Sequence, residues 1–282
     1  PFPIPSAWLD PADDQGLAVG LISTANGGGS AAPSFQAVWD FINIELAAVT
    51  EPGTWSQVDD QFNETRHEGG FVQAGDKFYV LGGRESTAVR IYDPATDTWS
   101  TGANSPILLH HFQAVEFDGL IYVIGAMTGT CCAEPEAPNV YIYDPVADTW
   151  ITGPEMPAGR ERGGAGAAVY NGKIYLVSGN TNGHSGPVSA LVDVFDPATG
   201  QFSALPDIPN PRDHFFVTVA NDKLYAVGGR VSDQPNIFDN TVAEVDVLDL
   251  GSETWSTLPN DLPTPRAAAP TGLIGNEIVV AG

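Results

Sequence analysis

The sequence predicts an all-β protein made of four-stranded antiparallel units repeated along the chain, and three observations carry that prediction. Gly and Pro number 31 and 23 among 282 residues, a supply of chain-reversing residues that suits many tight turns and no helical bundle. One apolar motif ending in small residues recurs at Lys77–Gly83, Leu120–Ala126, Lys173–Gly179, Lys223–Gly229 and Glu277–Gly282, with a period of 43 to 54 residues. An aspartate-led turn between bulky residues also recurs, at Tyr92–Trp99, Tyr143–Trp150, Phe195–Phe202 and Leu248–Trp255. Repeats of this length are the signature of stacked units that cannot bury their faces alone.

Each element follows from these motifs. With Gly82, Gly125, Ser178, Gly228 and Gly282 as origins, a two-residue turn begins seven positions earlier in every repeat: Gly75-Asp76, Asp118-Gly119, Asn171-Gly172, Asn221-Asp222 and Gly275-Asn276. Such pairs close tight hairpins, so they join a strand a to a strand b. The Tyr, Phe or Leu of the second motif lies on strand c, the Asp-Pro or Asp-Leu step makes the next turn, and the Trp or Phe opens strand d. Four strands per unit make a propeller blade.

The small-residue pair, the Tyr and the Trp at this period resemble kelch repeats, over roughly residues 54 to 282. The resemblance implies a kelch-type β-propeller, and it is of the kind seen in secreted or cell-surface bacterial kelch proteins. Tyr and Trp would stack each blade on its neighbour. Departures from the pattern stand at Ser178, Ala126, Phe195, Phe202 and Leu248. Five repeats are countable; the last stops after its strand b, so its c and d strands are expected from Phe41–Leu46 and Trp55. Leu17–Ile22, followed by Asn26-Gly-Gly-Gly29, reads as a strand b of a further, incomplete blade, so six blades are possible if the chain is a piece of something longer. Residues 1–34 read as a proline-bearing extended arm or partial blade, and residues 35–282 as the propeller.

Composition removes several functions. Lys and Arg total 11 against 35 Asp and Glu, a net charge of −24, so no general electrostatic field favours nucleic acid. Hydrophobic residues at 43% can build a core, which excludes disorder. No apolar run approaches the length of a membrane span and no basic-plus-apolar leader is visible, so a trimmed chain with no membrane span is expected. The acidity suits an extracellular or cell-surface protein.

Sixteen residues before each origin stand Arg66, Leu109, Arg162, Arg212 and Arg266, followed closely by His67, His110, His111 and His214. Strand a is innermost, so these starts are expected around the channel mouth, on the face that also carries the variable b to c loops. Arg66, His67, His110, Arg162, Arg212, His214 and Arg266 are therefore the expected ligand-binding residues. The structural alternative has the arginines bridging blades through Glu64, Glu68, Glu161 or Asp213. If the arginines instead await an anionic ligand, protonated histidines would strengthen its binding at low pH. Adjacent Cys131 and Cys132 form either a strained disulfide or two free thiols. No third or fourth ligand at suitable spacing suggests a metal, and no cofactor or catalytic residue is expected.

The expected function is a non-enzymatic propeller that binds a protein or a glycan on its long-loop face. The alternative is an enzyme acting on an acidic sugar, similar to the kelch isomerases of sialic acid, in which arginines would hold the substrate and a Glu or His would move a proton. A copper site like that of galactose oxidase has no matching Cys, Tyr and His pattern here.

Overall fold

The computed structural model describes residues 40–41, 56–57, 65–130, 134–232, 240–274 and 277–281. Four four-stranded sheets stand in a ring. Blade 1 holds β3 (Gly70–Ala74), β4 (Lys77–Leu81), β5 (Val89–Asp93) and β6 (Thr98–Gly102), following two short strands, β1 (Asp40–Phe41) and β2 (Ser56–Gln57). Blade 2 holds β7 (Val115–Phe117), β8 (Leu120–Val123), β9 (Asn139–Asp144) and β10 (Thr149–Glu155). Blade 3 comprises β11 (Gly166–Tyr170), β12 (Lys173–Val177), β13 (Val192–Asp196) and β14 (Gln201–Leu205). Blade 4 comprises β15 (Phe216–Ala220), β16 (Lys223–Val227), β17 (Val245–Asp249) and β18 (Thr254–Thr257), and β19 (Thr271–Ile274) with β20 (Glu277–Val280) starts a fifth.

In every blade the strands pair antiparallel in chain order, as the hairpin turns require. Successive first strands touch one another, β3 with β7, β7 with β11, β11 with β15 and β15 with β19, so strand a is innermost. The last strands carry mostly exposed residues. No α-helix occurs among the described residues, and no helix there is long and apolar enough to cross a membrane. β1 pairs with β2 and β19 with β20 as separate two-stranded sheets. The expectations for residues 1–34, Trp55 and the Cys131–Cys132 bond lie outside the described residues.

The core is a series of blade interfaces. Leu81 and Val89 of blade 1 pack with Leu109, Val123, Tyr141 and Tyr143 of blade 2. Val115 and Tyr122 of blade 2 meet Ala167, Ile174 and Phe195 of blade 3, and Val177 and Val192 meet Phe215, Val217 and Leu248 of blade 4. Burial of these side chains is the main force stacking the ring. Tyr143 and Trp150 stack at 5.3 Å and Tyr92 and Trp99 at 5.1 Å. Phe195 and Phe202 keep that contact at 4.9 Å, so the departure from Tyr and Trp preserves the packing.

The small-residue motif has a second role. The described origin residues are left-handed, with φ of 60° at Gly82 and 65° at Gly228. An added Cβ would lie 2.2 Å from the Leu109 carbonyl or 2.6 Å from that of Arg266. These carbonyls belong to the start of the next blade, and they accept the N–H of Gly83 and Gly229 at 2.9 and 2.8 Å. Blade 3 departs by placing Ser178 at φ 52°. Its hydroxyl donates to the carbonyls of Ser189 and Arg212 or accepts from the Arg212 N–H at 2.9 Å, tying blade 3 to blade 4 where glycine could not.

Candidate functional site at the propeller mouth

Each innermost strand is preceded by a segment that lines the channel. Fourteen residues before the origins stand Glu68, His111, Gly164, His214 and Ala268, all left-handed at φ between 51° and 61°. A backbone chain passes around them: His111 donates to the Glu68 carbonyl, Gly164 to His111, His214 to Gly164 and Ala268 to His214, at 2.6 to 2.9 Å. Left-handed non-glycine residues are strained, and these inter-blade bonds hold them there. The channel cavity, about 50 Å³, is lined by Glu68, His111, Phe112, Gly164, His214 and Ala268.

Two further elements reach this mouth. His184 comes from a 3₁₀ turn, Gly183–Ser185, in the loop between β12 and β13. Arg84 and Arg230 stand two residues after the origins of blades 1 and 4. Their charges are compensated: Arg84 pairs with Glu68 and with the buried Glu134, while Arg230 reaches Asp213 and donates to Ser232 Oγ. The rings of His111, His184 and His214 sit 4.8 to 5.1 Å apart. His111 Nε2 and His184 Nε2 each lie 3.1 Å from Glu68 Oε1. His110 joins behind His111 and points its Nε2 at the Gly129 carbonyl, 3.1 Å away. Asp213 holds His214 by its Nδ1, and Arg230 Nη2 lies 2.9 Å from the other ring nitrogen.

Burial sets the protonation of the cluster. Burial pushes the pKa values of His111, His214 and His110 below the ordinary imidazole range, against the pull of Glu68, Asp213 and the Gly129 carbonyl respectively. Burial also opposes ionisation of Glu68, but its close contacts with the rings of His111, His184 and His67 outweigh it and hold the carboxyl well below the usual range. A carboxylate thus faces neutral imidazoles.

The expected arginines are placed elsewhere. Arg162 and Arg212 are 1% and 0% exposed. Arg162 donates to Asp193 Oδ2 at 2.8 Å and to the carbonyls of Arg160, Leu176, Ser178 and Leu191. Arg212 pairs with Asp246 and donates to the carbonyls of Asn210, Gly228 and Glu244. Arg66 donates to the Gly82 and Ala88 carbonyls. These bonds fasten the end of strand b to the start of strand c within one blade, where the expectation had the arginines at the channel mouth or between blades. Arg266 donates from Nε to the Thr264 carbonyl. His67 is half exposed, with Nδ1 3.5 Å from Glu68. Of the expected residues, the structure gathers His110 and His214 with His111. Arg84, Glu134, His184 and Arg230 were missed, and Glu68 was expected only as the partner of an arginine. Glu68, Arg84 and Arg230 share repeat positions with other mouth residues, a signal present in the sequence; His184, inside a variable loop, has none.

The comparisons agree with this architecture. A family model for the Kelch motif matches residues 109–157, 161–209 and 211–261, together just over half of the chain. The chain belongs to the kelch-repeat family. It is 31% identical over 252 residues to Kelch-like protein terF of Aspergillus terreus, covering 82% of this chain and 53% of that protein. It is 27% identical over 205 residues to beta-scruin of Limulus polyphemus, covering 69% of this chain and 22% of that one. This kelch-repeat chain thus spans about half the length of one relative and about a fifth of the other. A solved structure titled "Structure of YjhT" superposes with a TM-score of 0.71 at 15% identity, over 86% of this chain and 83% of that one, a likeness of fold.

Proposed function

We propose that this kelch-repeat protein is a binding propeller that engages a protein or glycan partner with its mouth face, in an extracellular or cell-surface setting. One observation carries the reading. Antiparallel order places the described residues of the b to c loops, 82–88, 124–130 and 134–138, 178–191, and 228–232 and 240–244, on the face where strands a begin, while the opposite face holds short turns. Variable loops on a rigid scaffold around a polar mouth suit recognition. Family membership supports a protein partner, and the acidic surface of a chain with net charge −24 supports a partner with basic or neutral polar groups. An enzyme of acidic sugars would need arginines open to substrate, whereas Arg84 and Arg230 are engaged with Glu68, Glu134 and Asp213.

The test is a protein and glycan array probed with wild type, with the mouth-face variants Thr130→Arg and His67→Arg, and with Val146→Arg on the opposite face, where Val146 is 95% exposed. Binders lost by both mouth variants and kept by Val146→Arg support the reading. Binders lost by Val146→Arg alone, or no binder at all, overturn it.

A further inference from the structure

The mouth cluster contains a contact that hydrogen bonding alone satisfies poorly. His111 Nε2, His184 Nε2 and Glu68 Oε1 form a nearly equilateral triangle with edges of 3.3, 3.1 and 3.1 Å. The neighbours fix which atoms bring protons. The Gly129 carbonyl only accepts, so His110 carries its proton on Nε2 and offers a bare Nδ1 to His111. His111 then carries its proton on Nδ1, and its Nε2 is a bare lone pair aimed at a carboxylate oxygen. Arg230 Nη2 donates to His184 Nδ1, which leaves His184 with a proton on Nε2. Two acceptors and one donor therefore share a single proton inside a half-buried triangle.

We infer that Glu68, His111 and His184 form a binding site for a divalent transition metal of the zinc class, with Oε1 and the two Nε2 atoms as ligands. Tetrahedral zinc holds nitrogen and oxygen ligands at about 2.0 to 2.1 Å, which sets them about 3.3 Å apart, the size of this triangle. Imidazole with carboxylate is the donor set that such ions take. With His214, whose ring is held by Asp213 and Arg230, the ligand atoms of the four residues lie within 4.8 Å of one another. Glu68 and His111 also line the channel cavity of about 50 Å³, which has room for a water beside them. On binding, the His184 proton moves from Nε2 to Nδ1 and Arg230 turns away from it, keeping Asp213, Ser232 and His214 as partners. The Gly129–His110–His111 chain is the outer support that fixes a ligand's tautomer. This site does not depend on the proposed partner binding.

The test uses Zn²⁺ on the whole chain. Protein stripped with a chelator and dialysed against Zn²⁺ is expected to retain about one equivalent by elemental analysis, with nitrogen and oxygen scatterers at about 2.0 Å in X-ray absorption. Glu68→Gln and His184→Ala are each expected to weaken binding at least tenfold, as first ligands should when even outer partners matter that much. His184 lies in a loop, so circular dichroism should show His184→Ala folded. Val146→Ala, on the opposite face where Val146 is 95% exposed, is expected to bind Zn²⁺ as wild type does. No retained zinc, or equal affinity in folded His184→Ala, overturns the inference.

Discussion

Arg212 shows what one repeat position does. Its guanidinium and the Asp246 carboxylate are both fully buried, and such a pair is costly to break because the survivor is left charged in a poor solvent. Arg212→Ala is expected to lower unfolding free energy in urea by about 3 to 5 kcal/mol, at low and at high salt. A double variant, Arg212→Met with Asp246→Leu, should recover most of that loss; a single-variant cost below about 1 kcal/mol would contradict the structural role. The arginine was legible from its spacing. Its partner was not, because Asp246 sits 34 residues away on a strand whose alternating residues give no hint of which carboxylate faces inward.

At the scale of the element, the turn between strands c and d joins two blades. Tyr143 donates to Asp148 Oδ1 at 2.6 Å, and the same oxygen accepts the Ala103 N–H of the preceding blade. Trp150 adds a bond from Nε1 to the Ala103 carbonyl at 2.9 Å. The turn itself is held as its sequence suggests, with Asp144 accepting the N–H groups of Val146 and Ala147. Burial, then the hydrogen bond to Asp148, pushes the Tyr143 phenol above its ordinary pKa; in Tyr92 the same causes reach about 12. The folded state thus resists ionisation, so the stability carried by Tyr143 is complete below the unfolded value of about 10 and is lost as pH rises beyond it. Tyr143→Phe is expected to cost about 1 kcal/mol at pH 8 and to lose less than wild type between pH 8 and 11 in urea titrations. An equal alkaline loss in both proteins would contradict this. The Tyr and Trp were readable in the sequence, whereas the inter-blade use of Asp148 was not, since Ala103 contributes only backbone.

The whole molecule brings distant residues to one mouth by repetition. The four-stranded blades and their order were legible because turn residues and apolar motifs recur in register. The site was legible in part: strand starts carry His110, His111 and His214, but the arginines beside them turn into the blades. The cation-rich mouth expected from sequence is therefore a carboxylate among buried imidazoles, with His184 delivered by a loop whose length varies between repeats. This also changes the expected pH response. The depressed pKa values of His110, His111 and His214 mean that the unfolded chain takes up protons first. Their stabilising contribution is present above the unfolded value of about 6.5 and is lost as pH falls through the folded values.

Nitrogen-15 correlation spectra of the histidine rings, followed from pH 8 to 5.5, test the mouth cluster most directly. The hydrogen-bond partners place the proton of His110 on Nε2 and those of His111 and His214 on Nδ1, and burial keeps all three rings neutral below the ordinary imidazole value. Ring signals of these three residues that average between tautomers and titrate together near 6.5 would contradict the cluster, and with it the site built upon it.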